Sequence, residues 1–141
     1  VFLAACSTSA ESSSDSQVTV YKSATCGCCS DWVSYLEDNG FAVTTIETED
    51  MATVKDNNAV PLELRACHTA LIDGYVVEGH VPVDEIKKLV EEKPNILGIA
   101  VAGMPPGSPG MDIPGFETDP FDVVSFDADG NVEIFAQYPK D

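Results

Sequence analysis

Basic residues are scarce in this 141-residue sequence, in which seven lysines and arginines stand against 24 aspartates and glutamates, for a net charge of −17. Nucleic acids and anionic membrane surfaces are bound through cationic patches. We therefore expect no nucleic-acid partner and no electrostatic adhesion to membranes. The acidic excess instead suits cationic partners, metal ions included.

Long apolar runs are also lacking, since no stretch approaches the roughly 20 residues that a membrane-spanning helix needs. The sequence shows no phosphate-binding loop, no Ser-His-Asp arrangement and no paired catalytic carboxylates, so hydrolase and kinase functions have no support. The length suits one domain, and a hydrophobic fraction of 44% is enough for a real core.

Cysteine, by contrast, is abundant, with five residues in the chain. An odd number means that at least one does something other than pair within the chain. Cys6 follows Leu3-Ala4-Ala5, and this short box is similar to the end of a bacterial lipoprotein signal. We expect Cys6 to be lipidated; a soluble exported protein with a chance match is the alternative.

The segment after Cys6 favours a tether, because residues 7–17 contain six serines, two acids and no large apolar side chain. We therefore divide the chain into a signal remnant and tether, residues 1–17, and a single domain, residues 18–141. Either reading of Cys6 predicts a location outside the cytosol, in the periplasm or at the exterior of the cell envelope, with only a lipid anchor contacting the membrane.

Three further cysteines fall within four positions, at Cys26, Cys28 and Cys29. They follow a β-branched and aromatic run at residues 18–21, which predicts a strand. From Cys29 onward, apolar residues recur at helical spacing until Asn39-Gly40, which predicts a helix. A helix start favours the thiolate form of cysteine, and Cys26 and Cys29 have the Cys-x-x-Cys spacing of thioredoxin-like proteins.

The remaining pattern predicts a thioredoxin-like α/β core of order β-α-β-α-β-β-α. Its later elements are a strand at residues 41–46, a helix at 48–57 with Met51 and Val54 inward, a hairpin at 69–77 turned by Asp73-Gly74, and a helix at 82–92. In this fold the segment entering the third strand lies against the Cys-x-x-Cys turn. Here that segment carries Cys67 and His68.

The C-terminal third predicts an addition to this core. Residues 96–101 are an apolar run that suits a strand or a buried connection, and residues 103–115 are so rich in proline and glycine that they must form a shaped loop. Met104 and Met111 lie in that loop. Alternating residues at 121–126 and 132–135 predict a hairpin added to the sheet edge.

Four segments, in this order, closely resemble the CopG-type bacterial copper proteins, a thioredoxin-like metal-binding family: residues 21–29 (YKSATCGCC), 67–70 (CHTA), 78–82 (EGHVP) and 103–111 (GMPPGSPGM). The resemblance extends over about residues 18–135. It implies a periplasmic role in copper resistance, a copper cluster on the cysteines and interconversion of Cu(I) and Cu(II). Other periplasmic copper-handling proteins are the expected partners.

Sulfur chemistry supports this resemblance, because thiolates are soft ligands that select Cu(I), zinc or iron–sulfur clusters. One tetrahedral zinc needs only four ligands, and this sequence offers more. We predict several copper ions, with zinc as the alternative metal. The predicted metal ligands are Cys26, Cys28, Cys29, Cys67 and His68, with His80, Met104 and Met111 as further candidates.

Each candidate also has a structural interpretation. The clustered cysteines could form a disulfide, Cys67 and His68 could be a buried thiol and a hydrogen-bonded imidazole, and His80 could serve a helix start. Glu78 is expected to partner His80 or to be solvated, and the two loop methionines could be apolar plugs. The alternative function is a thiol–disulfide oxidoreductase that uses Cys26 and Cys29.

Overall fold

The computed structural model describes residues 17–111 and 118–140. Cys6 and nearly all of the predicted tether lie outside the described residues, as does part of the proline- and glycine-rich loop. The described chain forms a mixed α/β fold with one seven-stranded sheet and three α-helices. None of the described helices is long and apolar enough to cross a membrane.

The strands and helices follow one another in the predicted order. They are β1 (Gln17–Lys22), α1 (Gly27–Asp38), β2 (Ala42–Glu47), α2 (Met51–Asn57), β3 (Thr69–Ile72), β4 (Tyr75–Glu78), α3 (Val83–Glu92), β5 (Gly98–Ala100), β6 (Phe121–Phe126) and β7 (Val132–Tyr138), with a short 3₁₀ helix, Leu62–Leu64, before β3. Residues 103–111, the described part of the predicted loop, contain no helix or strand.

The sheet has the strand order β2-β1-β3-β4-β5-β6-β7. β1 runs parallel to β2 and antiparallel to β3, and Tyr21 lies opposite Thr69. β3 and β4 form the predicted hairpin, in which Asp73 and Gly74 both have the positive φ that a tight hairpin turn requires. β6 and β7 extend the sheet beyond β5, so that β2 and β7 are its two edge strands.

The main core lies between the sheet and the helices α1 and α3. From α1, Cys29, Trp32 and Leu36 are buried, as their helical spacing predicts. They belong to a layer of apolar side chains that includes Val18, Val20, Ala70, Ile72, Val77, Ile86, Leu89 and Ile99. This packing holds the first turn of α1 against the sheet.

Helix α2 departs from its prediction in two ways. It begins three residues later than expected, because the Asp50 side chain accepts a hydrogen bond from the Thr53 backbone N–H and caps the helix there. Met51 and Val54 are only half-buried, and the buried residue of this helix is Lys55.

Lys55 is buried because it meets Glu78, which is fully enclosed at the end of β4. One Glu78 oxygen accepts from Lys55 Nζ at 2.6 Å and from the Ala66 backbone N–H at 2.9 Å, and the other accepts from the Thr69 hydroxyl at 2.7 Å. The expectation that Glu78 partners His80 or is solvated is therefore wrong. Glu78 lies opposite Thr69 in the β3–β4 register, which turns it toward Lys55.

This buried pair predicts a large stability effect. Glu78→Gln removes the countercharge of Lys55 and replaces one acceptor oxygen by a donor. The free energy of unfolding should therefore fall by about 3–5 kcal/mol. Asp56→Asn is the matched control, since the Asp56 side chain is 66% exposed and that of its partner Arg65 is 21% exposed, and it should cost less than about 1 kcal/mol. Urea unfolding of the parent and of both variants measures the two losses in free energy of unfolding. Equal losses would contradict the prediction.

Candidate metal centre

Four cysteine sulfurs meet at one end of the sheet. The Sγ atoms of Cys26, Cys28, Cys29 and Cys67 all lie within 4.8 Å of one another. Cys26 directly precedes α1, and Cys67 lies two residues before β3. Because β1 and β3 are adjacent and antiparallel, the last residues of β1 and the first residues of β3 lie at the same end of the sheet. This brings the two cysteine-bearing segments together.

Two of these cysteines are already bonded, since Cys26 and Cys29 form a disulfide. Cys28 and Cys67 are free thiols. Cys29 is fully buried and the other three are half-buried, so the cluster has an inner wall and an open side. Burial raises the pKa of the Cys67 thiol, and the nearby Cys28 raises it further.

A methionine covers the free thiols. Met104 Sδ accepts from the Cys67 thiol at 2.9 Å and from the Cys28 thiol at 3.6 Å. Its side chain remains 42% exposed. The other loop methionine, Met111, is half-buried, and the thiol hydrogen bonds among the described residues go to Met104 and not to Met111. The structure thus gathers five sulfur atoms, one of them a thioether.

His68 and His80 form a separate buried pair. Their rings meet edge to face with centroids 5.0 Å apart, and the Trp32 ring lies 4.4 Å from that of His68. The Trp32 indole N–H donates to the Val81 carbonyl at 3.0 Å. Neither imidazole is part of the group of four sulfurs that all lie within 4.8 Å of one another, although His68 directly follows Cys67 in the sequence.

Each histidine uses one ring nitrogen for a backbone carbonyl. His68 Nε2 donates to Gly79 O at 2.9 Å, and His80 Nδ1 donates to Pro109 O at 2.7 Å. Within the described residues the opposite nitrogens, His68 Nδ1 and His80 Nε2, are buried without a hydrogen-bond partner. Burial, followed by the charge of His80, lowers the pKa of His68 to about 3, and burial also lowers that of His80.

These two histidines therefore have the form that metal-bound imidazoles take. A ligating histidine is neutral and usually donates its second ring N–H to a carbonyl or carboxylate. The unpartnered nitrogens supply lone pairs, and the carbonyl bonds fix the tautomers. The donor set as a whole, with thiols, a thioether and neutral imidazoles, fits a soft or borderline metal ion and offers no hard oxygen ligand.

Glycine allows the loop to close over this region. Gly110 has φ +87°, and a Cβ there would lie 2.9 Å from His80 Nδ1, 3.1 Å from the Trp32 backbone nitrogen and 3.2 Å from the Cys28 carbonyl. Gly79 is similarly confined, since its Cβ would lie 2.4 Å from the Val101 carbonyl. The loop that carries Met104 is thus seated directly on the first turn of α1 and on His80.

The hydrogen bond and ion pair that hold the backbone next to Cys67 have only a weak signal in the sequence. Glu78 accepts from the Ala66 N–H next to Cys67, and its charge is balanced by Lys55, 23 residues earlier in the chain. A lysine on a helix is normally exposed, so only the tertiary packing identifies Lys55 as buried. A single glutamate in an apolar β4 segment was the one available hint.

Comparisons with known proteins identify the family of the chain. A family model described as "Protein of unknown function, DUF411" matches residues 64–111. A solved structure of the copper resistance protein copG, form 2, is 45% identical with a TM-score of 0.84, covering 89% of this chain and 99% of that chain. Form 1 is also 45% identical, with a TM-score of 0.81 and coverage of 88% and 98%.

The chain belongs to the CopG copper-resistance family. The predicted family is confirmed. No curated protein sequence matches the chain.

The close fit of Gly110 gives a test of the loop's seat. Gly110→Ala and Gly130→Ala pay the same penalty for a positive φ, roughly 1–2 kcal/mol, because Gly130 has φ +86°. Only Gly110→Ala also pushes a Cβ against His80 and α1, since nothing lies within 4 Å at Gly130. We expect Gly110→Ala to lose about 1–3 kcal/mol more in denaturant unfolding. Equal losses would show that the loop is not seated there.

Proposed function

We propose that this protein binds copper as a member of a copper-resistance system and holds several ions in a thiolate cluster. The observation that carries the proposal is the group of four cysteine sulfurs within 4.8 Å of one another, with the Met104 thioether against two of them. Solved relatives named as copper resistance proteins support the choice of metal.

The donor set favours copper over zinc. Thiolates and thioethers together select Cu(I), whereas a structural zinc site is complete with four ligands. Cys28 and Cys29 are consecutive in the first turn of α1, and their sulfurs lie within 4.8 Å of each other and of the other two, so all four can join one cluster. Thiolates that bridge several copper ions would use both. The proposed ligands are Cys26, Cys28, Cys29, Cys67 and Met104, with His68 and His80 as adjoining nitrogen donors.

A change in copper oxidation state is part of this proposal. Soft sulfur favours Cu(I), and a neutral imidazole serves Cu(II) as well. The unpartnered nitrogens of His68 and His80 are supporting observations. Cys26 and Cys29 can contribute thiolates only after two electrons have opened their disulfide, so the oxidation state of the chain also sets the number of available ligands.

We further propose that the part from β1 to α3 is a thioredoxin-like unit. Its supports are the order β2-β1-β3-β4, the parallel β1–β2 pair and the Cys-x-x-Cys segment at the start of α1. In this interpretation β5, β6 and β7 are an added sheet extension. An experimental structure in which β3 did not pair with β1 would contradict it.

For location, we propose a lipid-anchored protein of the periplasm or outer cell envelope. The supports are Leu3-Ala4-Ala5-Cys6 and the serine-rich residues after it. Cys6→Ser should move the protein expressed from its full precursor from the membrane fraction to the soluble envelope fraction, as followed by fractionation and immunoblotting. Unchanged membrane attachment of Cys6→Ser would contradict lipidation at this residue.

A second candidate function is favoured by one observation, the Cys26–Cys29 disulfide. A Cys-x-x-Cys pair at a helix start can exchange disulfides with other proteins. Cys28 argues against this function, because its sulfur lies 3.7 Å from that of Cys26 and would compete as a third thiol.

Cys28→Ser separates the two functions. In the fully reduced chain under anaerobic conditions, we expect Cys28→Ser to bind at least one copper ion fewer than the parent, because a bridging thiolate is lost. Cys6→Ser removes a cysteine outside the proposed cluster and is the matched control, which should keep the parental stoichiometry. Metal analysis after gel filtration gives the copper-to-protein ratio.

The opposite pattern would favour the oxidoreductase. If Cys28→Ser keeps the parental copper ratio and reduces a small disulfide substrate as fast as the parent or faster, the bridged cluster is wrong. If the bridged cluster is right, Cys28→Ser should instead bind less copper than the parent and gain no disulfide-exchange activity.

A further inference from the structure

The disulfide leaves a smaller set of soft donors intact. With Cys26 and Cys29 bonded to each other, the Cys28 and Cys67 thiols remain free, and both donate to the Met104 thioether. We propose that the oxidised chain retains a single-ion Cu(I) site formed by Cys28, Cys67 and Met104. The choice of metal rests on the proposed function, but the site itself does not require a multi-copper cluster.

The distances fit one shared ion. Two sulfur ligands at about 2.3 Å from a metal can be no more than about 4.6 Å apart. The contacts of Met104 with Cys67 and Cys28, at 2.9 and 3.6 Å, lie well inside this limit. The Cys28 and Cys67 sulfurs are within 4.8 Å of each other, so they exceed this limit by no more than about 0.2 Å. An ion would replace the two thiol protons that now point at the thioether.

The chemistry of this trio is selective. Two thiolates and a thioether are all soft donors, which favour Cu(I). A structural zinc ion takes four ligands, and the disulfide has withdrawn two of the four cysteines. The oxidised chain therefore offers only two thiolates, too few for an all-cysteine zinc site, while it still offers a site that suits Cu(I).

The trio also occupies the accessible side of the cluster. Met104 is 42% exposed and Cys29 is fully buried, so an ion on Cys28, Cys67 and Met104 would lie nearer to solvent than one bound through Cys29. Oxidation would therefore lower the copper capacity to one ion and leave that ion where another copper-handling protein can reach it.

The test uses the full chain carrying Cys6→Ser, so that the only free thiols expected are Cys28 and Cys67. Alkylation and peptide mapping first verify that Cys26 and Cys29 are bonded. Cu(I) is then supplied anaerobically as its bathocuproine disulfonate complex, and transfer is followed by loss of the chelate's absorbance. We expect one Cu(I) per oxidised chain, with a first shell of sulfur by X-ray absorption.

Met104 supplies the discriminating variant. Loss of a residue that only hydrogen-bonds to a metal ligand typically lowers metal affinity about 10–100-fold. Because Met104 is proposed as a ligand itself, Met104→Leu should weaken Cu(I) binding by the oxidised chain at least about tenfold. Met51→Leu makes the same change on helix α2 and should leave the affinity unaltered. The Cys26→Ser/Cys29→Ser variant keeps the trio without any disulfide to reopen, and it should also bind one Cu(I).

Two results would overturn the site: no Cu(I) on either the oxidised chain or the double-serine variant, or equal affinities for Met104→Leu and Met51→Leu. Titration of the reduced chain separates this failure from that of the cluster. Several ions on the reduced chain and none on the oxidised one would refute the trio alone. One ion on both forms would refute the multi-copper cluster and retain the trio.

Discussion

The antiparallel pairing of β1 with β3 brings together the two segments that carry the four cysteine sulfurs of the site. It brings the turn after β1, with Cys26, beside the segment that enters β3, with Cys67. Burial of Trp32 and Leu36 then fixes the orientation of α1, and with it the direction of Cys28 and Cys29. The Lys55–Glu78 pair secures the other side, since Glu78 binds the Ala66 N–H next to Cys67. Without the β1–β3 pairing, the thiols would lie in two separate loops that nothing brings together.

The site combines features that are unfavourable unless a metal ion or a covalent bond satisfies them. Cys67 has a raised pKa because it is partly buried beside Cys28, and two imidazole nitrogens are buried without partners among the described residues. Buried polar atoms without partners are costly and are uncommon away from functional sites. In the proposed account, copper ions would use the lone pairs and thiolates that the fold has brought together, and the Cys26–Cys29 disulfide is the alternative in which two sulfurs satisfy each other.

Much of this architecture could be predicted from the sequence, because strands, turns and the buried face of a helix are set by residues that are close together in the chain. The bounds of β3, the Asp73-Gly74 turn and the buried face of α1 follow from alternation, turn chemistry and helical spacing. The proximity of Cys67 to Cys26 followed from the element order. What depends on contacts between distant segments was not predictable: the burial of Lys55, the partners of Glu78, and the contact of Met104 rather than Met111 with the thiols. Both methionines occupy equivalent-looking places in a loop whose path only the structure defines.

The central claim is that several copper ions share bridging thiolates in the reduced chain. Copper X-ray absorption on the reduced, anaerobically loaded protein tests it most directly, because it reports both the ligand atoms and any neighbouring metal. We expect a first shell dominated by sulfur together with copper–copper scattering, and loss of the copper–copper feature when Cys26 and Cys29 are oxidised. A first shell of nitrogen and oxygen, or a sulfur shell with no second copper at any loading, would contradict it.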